Sequence, residues 1–160
     1  MGLNINKVEK IILAIPARLE SKRLPRKIMA DICGKPMIRR VLENCSKAKG
    51  YNGIVLCTDN LELKELVEEW GFRSILTSSK CNSGSERIAT VVDQIVCQAW
   101  DLNFASIENK DISKLISKTA IVNVQGDQPF IDPNVLNLMA KKILNDIESF
   151  DVITPVYELD

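Results

Sequence analysis

Histidine is absent from the 160-residue chain. That absence excludes a histidine-ligated zinc site, a Ser-His-Asp triad and a Cys-His dyad. Net charge is absent too, with 21 basic and 21 acidic side chains. Aromatic residues are only 5% of the total. Neutral charge, few aromatics and no recognised nucleic-acid fold count against a nucleic-acid binder. The five cysteines, Cys33, Cys45, Cys57, Cys81 and Cys97, are odd in number, dispersed and free of any C-x-x-C spacing, so they form no disulfide or zinc framework. No apolar run approaches the roughly 20 residues of a membrane span. The start "MGLNINKVEK" has no signal-peptide core, and Asn6 breaks the myristoylation pattern. A cytoplasmic location is the expectation. Chemistry here must come from carboxylates, basic side chains, hydroxyls and backbone amides. A bound metal would be a hard cation held by oxygen.

Apolar residues reach 46%, enough for one domain with a real core. "IILAI" (11–15) is a continuous apolar run of strand length, expected to be buried on both faces. "GIVLCT" (53–58), "SILT" (74–77), "TAIVNV" (119–124) and "FDVITPVYE" (150–158) are further strands. Helices are expected from Pro36 to Gly50, from the Asn60 cap to Gly71, from residue 84 to Trp100, and from Asp132–Pro133 to Asp146. Ser83 and Glu86 have capping-box spacing at the third of these. Residues 101–118 read as a long polar loop with room for one short helix. Strands alternating with helices predict a Rossmann-like, doubly wound, mainly parallel sheet. Ligands of such sheets bind beyond the carboxyl ends of the strands.

Three segments fall at those ends. The first, "IPARLESKRLPRKIM", holds Arg18, Lys22, Arg23, Arg26 and Lys27 within ten positions. It has neither G-x-G-x-x-G nor a P-loop. It reads as a side-chain phosphate loop, since Arg forks and Lys point charges suit phosphate oxygens. A solvated charged loop fits the charge equally well. The second, "NVQGDQP", puts Asp127 just past a buried strand with Gly126 to ease the turn. One such carboxylate, with phosphates and water, suffices for Mg²⁺, and an ordinary turn is the other reading. The third, "SGSERIA", opens a helix whose free amides attract anions, and Gly84 admits a close ligand. Helix capping alone explains Glu86, and surface exposure would explain Arg87. In "GKPMIRR", Lys35 stands near a helix start and is either a phosphate contact or solvated.

"IPAR…SKRLPRK…ICGKPMI", "SGSER" and "NVQGDQP", in that order, resemble the CMP-Kdo synthetases. These are 3-deoxy-manno-octulosonate cytidylyltransferases, a branch of the glycosyltransferase-A-like nucleotidyltransferases. The resemblance implies reaction of CTP with Kdo to give CMP-Kdo and pyrophosphate, with Mg²⁺, for lipopolysaccharide synthesis. It implies triphosphate contacts from Arg18, Arg23 and Lys27, and a base pocket formed by the Ala17 backbone. It implies nucleotide contacts from Ser83, Gly84 and Arg87, with Gln125 at the nucleotide–sugar boundary and Asp127 as the Mg²⁺ carboxylate. Arg18, Arg23, Lys27 and Asp127 are the catalytic set on this reading.

Several positions depart from the family pattern. Arg26 stands where the family has Gly, and Lys27-Ile28 where it has Lys-Pro. Ser78 and Cys81 replace the Arg and His before S-G, Gln128 replaces Glu in G-D-E-P, and the 101–118 segment is longer. Arg26 either strains its loop or adds a phosphate ligand. Family members are also longer, with a sugar-binding and dimerising part. Residues 1–160 therefore read as a single nucleotide-binding domain without that part. The alternatives are a catalytically inactive nucleotide-binding fragment or relative, or a cytidylyltransferase for another 2-keto sugar acid, of amino-Kdo or sialic type. Neither nucleic acid nor membrane is expected as a partner, and the full-length family is expected to be homodimeric.

Overall fold

The computed structural model describes residues 7–20, 24–146 and 152–156. Its first strand, β1 (Lys10–Ala17), extends the expected run at both ends and is buried from Ile11 onward. Alternation along β1 explains why the run is continuously apolar. Ile11, Leu13, Ile15 and Ala17 enter one core with Leu42, Val67 and Leu136, while Ile12 and Ala14 enter a second with Ile75, Ile88 and Ile95. Both faces of the sheet are therefore covered, and a polar residue on either side would meet no water.

A two-residue hairpin that sequence patterning misses follows β1: β2 (Asp31–Ile32) and β3 (Lys35–Pro36) pair antiparallel around Cys33 and Gly34. Both turn residues have positive φ, 51° and 83°, the geometry a tight hairpin demands. Helix α1 (Met37–Cys45) starts where expected but stops short of Gly50. Its buried stripe is Ile38, Val41, Leu42 and Cys45. Strand β4 (Ile54–Thr58) and helix α2 (Leu61–Glu69) follow. The Asn60 side chain accepts from the Leu63 N–H at 2.8 Å, as its capping role requires.

Strand β5 (Arg73–Leu76) leads to the main departure from expectation. One helix from 84 to 100 is instead two, α3 (Gly84–Ala89) and α4 (Val92–Ala99). The Thr90 hydroxyl donates to the Arg87 carbonyl at 2.8 Å, and the β-branched run Thr90-Val91-Val92 disfavours continuation. The segment 101–118 holds a 3₁₀ turn at Phe104–Ser106 and helix α5 (Asn109–Ile116). Strand β6 (Thr119–Asn123) and helix α6 (Pro133–Asp146) close the order. Residues 152–156 carry no strand; the rest of the last predicted strand lies outside the described residues.

The sheet order is β5-β4-β1-β6, with every neighbouring pair parallel. That is the predicted doubly wound sheet, with its switch point between β1 and β6. Pro16 marks the place. Leu13 N–H turns toward β4 and the Ala14 carbonyl toward β6, so by alternation the missing N–H of Pro16 faces the β6 side. The β1–β6 ladder ends at Ala14 and Asn123, so the proline removes no ladder bond. The two strands part there, and a cleft opens between their ends.

Candidate functional site

A cleft of about 450 Å³ lies at that parting. Its walls come from the end of β1 (Pro16, Ala17, Arg18), the loop after it (Leu24, Lys27, Ile28), the turn into α3 (Cys81, Ser83, Gly84, Arg87) and the turn after β6 (Gln125, Gly126, Asp127). Eight of the nine residues singled out from sequence line this one space; Arg23 lies outside the described residues. Segments remote in sequence thus meet because three strand ends face the same side of the sheet.

Arg18 is exposed at the rim, directly after the last buried residue of β1. Lys27 opens the 3₁₀ turn Lys27–Met29, anchored by buried Ile28. Its Nζ lies 2.7 Å from Asp127 Oδ2, joining opposite walls across 100 residues of sequence. A cation and a carboxylate therefore face the same cleft and neutralise each other there. Both are about half exposed, which makes the pair exchangeable rather than structural.

Glycine at 84 and 126 answers to packing rather than to turn geometry. A Cβ on Gly84 would stand 2.8 Å from Pro16 Cγ, and one on Gly126 would stand 3.1 Å from the Pro16 carbonyl oxygen. Ser83 does cap α3: its hydroxyl accepts from the Glu86 N–H at 3.1 Å, while the Glu86 carboxylate accepts from the Asn82 N–H at 2.7 Å.

Arg87 lines the cleft, but burial overturns the reading of it as a surface residue. It is neither a surface residue nor a free anion ligand. Only 3% of it is exposed, and its guanidinium is engaged by Asp59, the Thr77 hydroxyl and the Ser78 carbonyl. Asp59 was not singled out from sequence. The signal that picked out Asp127, an acid just past a buried strand, applies equally to Asp59 after β4. Lys35 is likewise committed, bonding both Glu43 oxygens at 2.9 and 2.7 Å. That bond holds the Glu43 carboxyl below its usual range, with Arg39 helping. Arg26 does not line the cleft; it points to Glu62 of α2 at 2.6 Å. Cys57, under the cleft floor, is pushed up to about 12 by burial, so it supplies no thiolate.

Among the described residues no three histidine, cysteine or acidic side chains converge on a metal position. A multi-carboxylate cage is therefore not built here. Asp127 alone, half exposed and facing a cleft with basic walls, still fits a Mg²⁺ ion whose other ligands are water and phosphate.

A doubly wound parallel sheet with a charged cleft at its switch point places the molecule among the Rossmann-like α/β domains. The family model described as "Cytidylyltransferase" matches residues 12–158, and the chain belongs to that family. It is 40% identical over 133 residues to the 3-deoxy-manno-octulosonate cytidylyltransferase of Idiomarina loihiensis, covering 83% of this chain and 45% of that protein. It is 40% identical over 139 residues to that of Francisella philomiragia, covering 87% and 48%. The chain thus spans about half the length of the curated relatives it matches. A solved CMP:2-keto-3-deoxy-manno-octonic acid synthetase complexed with CTP superposes with a TM-score of 0.69 at 28% identity, over 87% of this chain and 49% of the other. A Leptospira borgpetersenii cytidylyltransferase shares the fold, with a TM-score of 0.61 at 22% identity. The resemblance drawn from the three motifs holds.

Proposed function

We propose that this chain is the nucleotide-binding half of a cytidylyltransferase that activates a Kdo-like 2-keto sugar acid, forming CMP-Kdo and pyrophosphate from CTP and Kdo. The carrying observation is the convergence of Ala17, Arg18, Lys27, Ser83, Gly84, Gln125 and Asp127 on one cleft at the switch point. Similarity to a synthetase solved with CTP adds to it.

On this reading the triphosphate lies between Arg18 and Lys27, with Arg23 as a further proposed contact. Cytosine and ribose lie toward Ala17 and the Ser83–Gly84 turn. Binding exchanges partners: Lys27 leaves Asp127 for a phosphate oxygen, and Asp127 is freed to hold Mg²⁺. That ion, when bound, neutralises phosphate charge. The sugar's anomeric hydroxyl attacks the α-phosphorus as the bond to pyrophosphate breaks in line. The chain's own part is to orient the triphosphate and to stabilise the leaving charge with fixed cations. The setting proposed is the cytoplasm, with the product feeding lipopolysaccharide. The full-length form is proposed to be a homodimer.

The test is CTP binding by calorimetry across a Mg²⁺ series. Wild type should bind CTP more tightly as Mg²⁺ rises. Asp127→Asn should lose most of that dependence, a change of about 1.5–3 kcal/mol for a charge-assisted contact. Its fold should be unchanged, since the residue is exposed in a turn. Mg²⁺ dependence that survives in the variant overturns the metal assignment; no CTP binding at any Mg²⁺ concentration overturns the function.

A further inference from the structure

Asp59 follows β4 directly and precedes the Asn60 cap of α2, so its backbone is held from both sides. Its Oδ2 accepts from Arg87 Nη2 at 2.8 Å. The Arg87 side chain is 4% exposed and that of Asp59 18%. The second terminal nitrogen, Nη1, donates to the Thr77 hydroxyl and the Ser78 carbonyl beyond β5. One planar fork therefore ties the ends of β4 and β5 to α3. Fork geometry sets orientation as well as distance.

What it orients is the cleft wall. Helix α3 is only six residues long, too short to hold its own direction. Ile88 anchors its far end in the second core, Gly84 lies against the Pro16 ring at its start, and Arg87 adds a directional tie between them. Together they set the Ser83–Gly84 backbone. Loss of Asp59 would leave a guanidinium buried with its charge unmatched. The open space beside Arg87 is the cleft, which it already lines. Relaxation would carry it there.

We infer that Asp59 is a positioning residue of the nucleotide cleft: by holding Arg87 at the strand ends it fixes the Ser83–Gly84 wall and keeps the guanidinium out of the base and ribose space. The inference rests on the proposed nucleotide site. It differs from a direct contact of Arg87 with the nucleotide, under which releasing Arg87 from Asp59 would strengthen binding or leave it alone.

The experiment measures affinities of the full chain for CMP, CTP and tripolyphosphate, with thermal midpoints, in wild type, Asp59→Asn, Asp59→Ala and the charge-free double variant Asp59→Leu/Arg87→Met. Asp59→Ala should weaken CMP and CTP about tenfold or more while tripolyphosphate stays within roughly twofold. Asp59→Asn, which keeps an acceptor, should fall between. The double variant should recover the thermal midpoint without recovering CMP affinity. That outcome holds even if Asp59→Ala alone fails to fold. Equal weakening of all three ligands in step with the midpoint would reduce the pair to a stabiliser, as would full recovery of CMP binding in the double variant. Unchanged or tighter CMP binding in Asp59→Ala would favour direct contact. A wild-type chain that binds none of the ligands removes the proposed function and this inference together. Wild-type binding with insensitive Asp59 variants removes this inference alone.

Discussion

Arg26 shows how one side chain is constrained by its backbone. It sits at φ 53°, ψ 30°, in the left-handed region that favours glycine. That conformation costs an L-residue roughly 1–2 kcal/mol. The compensation is an exposed ion pair with Glu62, and such pairs contribute about 0.2–1 kcal/mol. Of the two expectations for this residue, strain is realised and the added phosphate ligand is not. Arg26→Gly should therefore leave stability equal or raise it by up to about 2 kcal/mol, with CTP affinity unchanged. A urea titration beside a CTP titration checks both; a clear loss of stability would mean the Glu62 pair matters more than its exposure suggests. The cysteines divide as sharply. Cys33 is exposed in the hairpin and the other four are buried. Burial pushes the Cys45 and Cys57 thiols up to about 12 and raises Cys97. Thiolate is the reacting form, so native alkylation near neutral pH followed by peptide mapping should label Cys33 and leave Cys45, Cys57 and Cys97 unlabelled. Rapid labelling of Cys45 or Cys57 would contradict their burial.

Elements meet at the cleft through backbone proximity, and α3 against β1 is the tightest case. Gly84→Ala would place a methyl 2.8 Å from a proline ring that cannot rotate away. Overpacking of this kind costs about 1–3 kcal/mol, and here the helix start must move. The variant should melt earlier and bind CTP more weakly; normal values for both would show that α3 yields without cost. The elements legible in sequence were those carried by long periodic or continuous apolar patterns. β1, β4, α2 and α6 lie close to where patterning puts them, because burial on one stripe or on two faces leaves a strong trace. The β2–β3 hairpin left none, since two-residue strands have no period to read. The α3–α4 break was hidden because apolar spacing runs on across Thr90, while the break itself comes from one hydroxyl and a β-branched run. The site was legible where the chemistry is local, as in the basic loop and Asp127. Asp59 and the engagement of Arg87 were not, because a buried ion pair between residues 28 apart looks in sequence like two ordinary surface charges.

At the scale of the molecule, the described residues supply the one cleft that the proposed function assigns to triphosphate and base. Turnover needs a second substrate held in line. Positioning of that kind can contribute about 7–11 kcal/mol of barrier reduction, and none of the described residues after Asp127 lines the cleft. The 160-residue chain should thus bind CTP with Mg²⁺ yet release little pyrophosphate when Kdo is added. Rapid release would place the sugar site within these residues. Among the described residues no helix is long and apolar enough to cross a membrane.

The sheet's pairing order carries a consequence for how the chain reaches this state. Val55 pairs with Arg73, Leu13 with Ile54, and Lys10 with Thr119, so each ladder in turn closes a longer stretch of chain. Contacts distant in sequence cost more loop entropy and form later. β4–β5 can form early, β1 joins next, and β6 docks last. The cleft lies across that final joint, between Lys27 and Asp127. Most of the secondary structure is therefore expected to be in place before any binding site exists. Ligand competence, followed in a refolding experiment, would mark the end of folding more faithfully than helix content does.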